Sequence, residues 1–521
     1  MLLVLVLAIS IIALCPFEII HADKDFKYVF RVDDEGFTNV TVYFHDDRSG
    51  SSWILVPKDQ AGDIGIRVFE GFLLNVSYQK LVEGGEENPF YVVMRFSYNT
   101  DRGVVNISIS YLMPYGGLII EPKAIFISPR ITHEKTGYTK TITILPGYVT
   151  TDEDMVSSFS GFAHNVRVSR SNHSVMVEAY VGSDDRVVIE YLVPFQGNVT
   201  SITAGSFIFK TPARYQSFAR DILLTLNSSY TTYKELFNVD LKSVEVQFFV
   251  PSIKDIFAGL EGYVPFEGGK LGAIHLNILY IRGVEGFMDI IALHELTHHF
   301  LWAIGVPPSK LWIHEGIAEY LSLNMGRRLG YLKAVDMHER DLKYAWRFLN
   351  EDLGFIQRWT PFYVPPQGLK LCYAASYYVI KHLCDEYGGL NYLKALFREF
   401  KHVDWGNETQ VIEAFGVAAN DVEGVFELFE RWGFEVSVPP KASLIIAQVK
   451  RSISIMPSWL EPYRSFIEIA IRIAESLEQF NAPYSAILVG RLAQFLCLIS
   501  PYLFAVSLIV VLVGLLALRK R

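Results

Sequence analysis

Leu293-His294-Glu295-Leu296-Thr297-His298 is the stretch on which the reading of this chain turns. Phe287, Ile290, Ile291, Leu293, Leu296 and Leu301 recur at helical spacing, with no Pro or Gly from Phe287 to Ile304, so the segment reads as a helix. On a helix His294 and His298 stand one turn apart on the same face. Two neutral imidazoles so placed can hold Zn²⁺. Glu295 points about 100° round from His294, off the ligand row but able to serve as general base to a water at the metal. A pentad of this kind also arises by chance, so the residues that follow decide its weight. Fourteen residues after His298 begins Trp312-Ile313-His314-Glu315-Gly316-Ile317-Ala318-Glu319-Tyr320, a second helix set off by Gly305-Val306-Pro307-Pro308. A catalytic zinc needs a third protein ligand and an open position, and Glu315 can turn back to supply the ligand. Glu319, one turn further on the same face, is placed to accept the free ring N–H of a ligand histidine; a solvated helix face is the alternative. The rival pattern HExxHxxGxxH fails, since Leu301 stands at its glycine and Ile304 at its third histidine. His299 and His314 each neighbour a ligand candidate and should face elsewhere.

Around this core the chain has 521 residues, 47 basic against 56 acidic, for a net charge of −9. That balance argues against a nucleic-acid binder, which needs a basic face. Four cysteines exclude a disulfide scaffold. Cys372 and Cys384 are twelve residues apart on what reads as one helix, too far apart to pair with each other. The mean hydropathy of +0.23 is high for a soluble enzyme, and the ends account for it. Leu2 to Leu14 is apolar except for Ser10, which reads as a signal peptide over residues 1–22, although no Lys or Arg precedes it. An uncleaved anchor is the alternative. Residues 495–518 carry no charge; at about 1.5 Å each they reach roughly 36 Å, enough to cross a hydrocarbon core of about 30 Å. Arg519-Lys520-Arg521 follow as a cytoplasmic tail, which turns the body outward. Seven N-x-S/T triplets, at Asn39, Asn75, Asn106, Asn172, Asn198, Asn227 and Asn407, agree with a glycosylated outer face.

Residues from about 25 to 210 alternate like strands. Val105, Ile107, Ile109 and Tyr111 form an apolar face against Asn106, Ser108 and Ser110. The expectation is one or two antiparallel β-sandwich-like units. Tyr215 to Leu236 reads as helix, Val244–Phe248 and Leu271–Ile281 as strands, and Glu285 to about Glu435 as mostly helical. Pro439-Pro440 marks a boundary, followed by an amphipathic stretch from Tyr463 to Phe480 whose apolar face either packs on the body or lies on lipid.

At HELTH and WIHEGIAEY the sequence resembles the gluzincin metallopeptidases. It is most like the aminopeptidase N-like family and its membrane-bound relatives, grouped as peptidase MA-like domains. The resemblance covers roughly Val244 to Glu435, with a shorter spacer than is typical. It implies zinc held by His294, His298 and Glu315, with Glu295 as base. The family places an oxyanion-donating tyrosine about sixty residues beyond the glutamate ligand, at a helix start. Tyr373 looks like its counterpart, with Tyr377 and Tyr378 close by, although the family's lysine and glycine there are replaced. The family's G-A-M-E-N strand is matched by Gly272-Ala273-Ile274-His275-Leu276. Gly272 and Ala273 keep a strand along which substrate backbone could add, while His275 replaces the carboxylate that binds a free amino terminus. Strict aminopeptidase activity is thereby put in doubt.

The expected fold is multidomain α+β. A signal (1–22) precedes a β-rich region (23–212) and a thermolysin-like, mostly α-helical zinc peptidase domain (213–438). Membrane-proximal helices (439–494), a transmembrane helix (495–518) and the tail (519–521) complete it. The expected activity is hydrolysis of peptide bonds in peptides or unfolded proteins, with one Zn²⁺ per chain, on the outer side of a cell membrane entered through the C-terminal helix. The competing reading is a catalytically inactive peptidase-like surface protein that binds or adheres. A purely structural zinc is disfavoured, because three ligands and a base leave the open position catalysis needs.

Overall fold

The computed structural model describes residues 24–195, 197–346, 352–436, 441–479 and 483–519. The expected signal, Pro439-Pro440 and the last two residues of the tail lie outside them. The chain is a mixed α+β protein, with strands at the N-terminal side and helices in the middle and at the C-terminal side. Its contacts divide into two compact units.

The first unit comprises residues 1–224, 244–265 and 272–288. A seven-stranded sheet runs in the order 164–170, 174–182, 138–146, 25–32, 38–46, 105–113, 65–70. Four- and three-stranded sheets accompany it. The alternation read from the sequence is the one observed: Val105, Ile107, Ile109 and Tyr111 are buried, and the polar residues between them are half-exposed. Side chains from all three sheets, among them Tyr28, Met94 and Phe126, form one apolar cluster, so this region has a single core rather than two. Within these three sheets one pair departs from the antiparallel expectation: Asp25–Val32 lies parallel to Tyr138–Pro146. The two strands are far apart in sequence, and only a hairpin forces antiparallel neighbours. A five-stranded sheet, 199–204, 207–212, 244–249, 274–277, 262–263, completes the unit.

The helices are α1 (Gln216–Phe237), α2 (Ile253–Ala258), α3 (Phe287–Ala303), α4 (Leu311–Leu329), α5 (Leu332–Trp346), α6 (Leu369–Tyr387), α7 (Leu390–Phe400), α8 (Glu408–Ala419), α9 (Val422–Arg431), α10 (Lys441–Ser454), α11 (Glu461–Gln479) and α12 (Pro483–Arg519). The second unit comprises residues 225–243, 266–271 and 289–521. Its helix ends follow local chemistry. Asn407 caps α8 by accepting from the Gln410 N–H, and α4 stops at Gly330, whose φ of +89° only glycine adopts readily. Trp312, fully buried, packs among Phe415, Phe429 and Phe434. Cys372 and Cys384 are buried free thiols. Within α12, Ser485–Ile509 is long and apolar enough to cross a membrane and overlaps the span expected at 495–518.

Six of the seven sequon asparagines are exposed. Asn106 is half-buried; its side-chain amide donates to Glu70 and its oxygen lies 2.9 Å from His45 Nδ1. A glycan there would forfeit the bond to Glu70.

His133 is a buried histidine of the first unit. Its ring stacks on Phe26 at 4.1 Å, and Nε2 meets Thr139 Oγ1 at 2.7 Å. Burial, helped by Lys135, lowers its pKa from 6.5 to about 4. The folded state therefore binds this proton less readily than the unfolded chain does. The resulting stability is present above pH 6.5 and is lost as pH falls toward 4. Between pH 7 and pH 5 the loss should be about 2 kcal/mol, and His133→Phe should remove it. Denaturant unfolding at the two pH values measures both, and an unchanged pH dependence in the variant would refute the assignment.

Candidate metal centre

The site is built by α3 and α4 within the second unit. α3 is buried on almost every side, so its polar residues must find partners inside the protein. The i, i+4 spacing brings the rings of His294 and His298 to 5.0 Å at an interplanar angle of 79°. The chain then breaks at Gly305, where φ is +96°, and re-enters as α4. Glu315 Oε2 lies 3.0 Å from His294 Nε2 and 3.6 Å from His298 Nε2. One donor atom from each of the three residues falls within 4.8 Å of the other two.

The far side of His298 is also held. His314 Nε2 is 3.2 Å from the carbonyl of Val306, and its Nδ1 is 3.4 Å from Nδ1 of His298. A carbonyl only accepts, so His314 carries its hydrogen on Nε2. Burial lowers its pKa to about 4, which keeps the ring neutral and leaves Nδ1 a bare acceptor. His298 must then supply the hydrogen from its own Nδ1, and its Nε2 lone pair faces Glu315. His314 is thus no ligand, as its angular position implied. It nonetheless faces the site and sets the tautomer of His298.

His294 Nδ1 faces Glu319 Oε1 at 3.9 Å, longer than a hydrogen bond. The close partner of Glu319 is His338 on α5, with Nε2 at 2.8 Å from Oε2. Burial alone would raise the Glu319 pKa. The charge and hydrogen bond of His338, with His294 beyond, outweigh it and keep the carboxylate ionised. His338 was not visible in the sequence, because no local spacing ties a residue of α5 to α4.

Glu295, Glu315 and Glu319 are 5%, 8% and 5% exposed. Burial opposes charge on His294, yet the hydrogen bond to Glu315 and the charges of Glu319, Glu315 and Glu295 raise its pKa to about 10. The buried carboxylates therefore draw positive charge into the pocket, and it favours a cation. Two imidazole nitrogens and one carboxylate oxygen form a donor set that suits zinc with an open position.

Gly316 sets the packing of the next layer. A Cβ there would come within 2.5 Å of the Ser376 carbonyl on α6 and 2.8 Å of Ile380. α6 carries the three tyrosines. Tyr377 donates to Glu339 at 2.7 Å, and Glu339 also meets Arg327 at 2.8 Å and Lys343 at 3.2 Å. Tyr378 lies edge-on to Trp346 and Trp432. Tyr373 is half-buried, edge-on to Trp359 at 5.1 Å.

Gly272 and Ala273 belong to the first unit, and here the strand reading needs correction. Ile274–Asn277 is not an edge: it pairs with Val244–Phe249 on one side and with Gly262–Tyr263 on the other. The Gly272 N–H is already given to Pro265 at 2.8 Å. Backbone addition to this sheet would meet Gly262–Tyr263, the outer strand, instead. His275 stacks on Tyr263 at 4.5 Å and lies 3.0 Å from the Gln247 amide; burial lowers its pKa.

No protein-family model matches the chain, and no curated protein matches it in sequence. Among solved structures, native leukotriene A4 hydrolase from Saccharomyces cerevisiae is similar over 93% of this chain and 85% of its own, with 10% identity and a TM-score of 0.32. A further structure, of native yeast LTA4 hydrolase, is similar over 88% and 78%, with 11% identity and a TM-score of 0.31. These are loose likenesses, and the chemistry of the site is read from its own atoms.

His314→Leu should weaken zinc binding roughly 10- to 100-fold in chelator competition. His314→Asn, whose amide oxygen can accept the same N–H, should recover most of the loss; equal affinities in the two variants would exclude the orienting role. Gly316→Ala should lower unfolding stability by about 2 kcal/mol, seen as a lower denaturation midpoint.

Proposed function

We propose that this chain is a membrane-anchored zinc metallopeptidase that hydrolyses peptide bonds on the outer side of the membrane. The observation that carries the reading is the convergence of His294, His298 and Glu315 within 4.8 Å. Bound there, zinc would supply Lewis acidity, polarising the scissile carbonyl and acidifying water. Glu295, buried and next in the chain to His294, acts as general base: it takes a proton from the attacking water and delivers it to the leaving amine. Glu319 faces the far nitrogen of His294, and His314 orients His298. Tyr373, half-buried at the start of α6 where the family that the sequence resembles places its tyrosine, donates to the oxyanion, with Tyr377 and Tyr378 on the same helix as the alternatives.

Peptides or unfolded proteins are the substrates. α12 enters the bilayer, and Arg519-Lys520-Arg521 keep its end cytoplasmic. The seven sequons fit an exposed, extracytoplasmic body.

The purified chain should bind about one zinc, and Glu295→Gln should keep the metal while losing hydrolysis. A peptide library with free and blocked amino termini, read by mass spectrometry, separates exopeptidase from endopeptidase action. Zinc content near zero, or full activity in the glutamine variant, would overturn the proposal.

A further inference from the structure

Two arginines of the first unit, Arg186 and Arg282, are half-buried and meet at one short stretch of chain. Arg282 Nη1 donates to the Ile127 carbonyl at 3.0 Å, and Arg186 Nη1 donates to the next carbonyl, of Ser128, at 3.2 Å. Arg186 Nη1 also donates to Tyr91 Oη at 3.0 Å, and its guanidinium lies 5.6 Å from the Tyr91 ring. All these acceptors are neutral. Among the described residues neither arginine forms an ion pair. The acids close by are committed elsewhere. Asp184 takes Arg130 and Thr132, and Asp185 accepts the backbone N–H groups of Ser160 and Arg186. Arg130 is the contrast, since it is paired with both Glu83 and Asp184.

A guanidinium keeps its proton inside a protein. Burial and the charge of Arg186 both oppose charge on Arg282 and lower its pKa from 12.5 to about 10, which still leaves it a cation at neutral pH. Two like charges held in this way repel, and an anion between them reverses the sign of the interaction. Tyr91 adds a third donor. It is only 7% exposed, and its oxygen accepts from the Arg130 N–H at 3.1 Å and from Arg186. Both lone pairs are thereby used, and its own hydrogen goes to no acceptor among the described residues.

We propose that Arg186, Arg282 and the Tyr91 hydroxyl bind a small tetrahedral dianion of the sulfate–phosphate class. The guanidinium N–H groups not given to carbonyls make charge-assisted hydrogen bonds to its oxygens, and the Tyr91 O–H makes a further one. A dianion answers two cations, where a single carboxylate answers one. Bound there, it ties together three segments distant in sequence: the residue before Val187–Leu192, the end of the turn Ile278–Arg282, and the strand Glu86–Asn99 that carries Tyr91. The site lies wholly in the first unit and does not depend on the zinc peptidase reading.

Thermal unfolding of the full-length chain in detergent, with sodium chloride exchanged for sodium sulfate at constant ionic strength, tests it. Sulfate should raise the unfolding midpoint by a few degrees and saturate. Arg186→Gln and Arg282→Gln should each weaken the apparent sulfate affinity roughly tenfold or more. Each should also cost less midpoint in chloride than in sulfate, because it removes one of two repelling charges. Tyr91→Phe keeps the ring and should weaken sulfate binding by a smaller factor, so it reads the site if an arginine variant fails to fold. Sulfate also strengthens folding in general by its exclusion from protein surfaces. A rise that is equal in the wild type and the variants is therefore only that effect and overturns the proposal, as does no rise beyond chloride. Acetate that raises the midpoint as far as sulfate does overturns the dianion in favour of a single carboxylate.

Discussion

Burying carboxylates is the constraint on which this part of the molecule is organised. Glu295, Glu315 and Glu319 sit on two helices with almost no access to solvent. A carboxylate leaves water without large cost only where donors or cations replace what water gave it. The surrounding elements supply them. α5 brings His338 to Glu319, and α3 turns His294 toward both Glu315 and Glu319. His298 completes the set, its own far nitrogen answered by His314 and, through it, by the Val306 carbonyl. The kink at Gly305 before α4 belongs to the same arrangement, because it allows two successive helices to face one another across the donor atoms.

The parts of this protein that local periodicity encodes are legible in its sequence. The strand at Val105–Met113, the helical register of His294 and His298, and the separation of Cys372 from Cys384 all follow from spacing along one element. The approach of Glu315 to those histidines was inferable because a short break between two helices leaves few ways to fold back. Residues whose meaning depends on a distant partner were not legible. His338 is found only by placing α5 beside α4, and the part played by His314 depends on a carbonyl eight residues before it. Among Tyr373, Tyr377 and Tyr378, the partner Glu339 on another helix distinguishes one from the rest. The strand containing Gly272 failed differently. Its residues suit an edge, but whether a strand is an edge depends on what lies next to it, and Gly262–Tyr263 does.

Gly316 shows how a short signature can carry two messages at once. Glu315 contributes an oxygen to the donor cluster, whereas its neighbour contributes the absence of a side chain, which lets the Ser376 carbonyl approach. The dipeptide therefore specifies a reagent and a clearance in adjacent letters. A chain that kept the glutamate and changed the glycine would still spell the metal ligand, but α6 would be displaced, and Tyr373 with it. Motif searches that score such pairs as chemistry are also detecting helix spacing, and a protein can retain one message after losing the other.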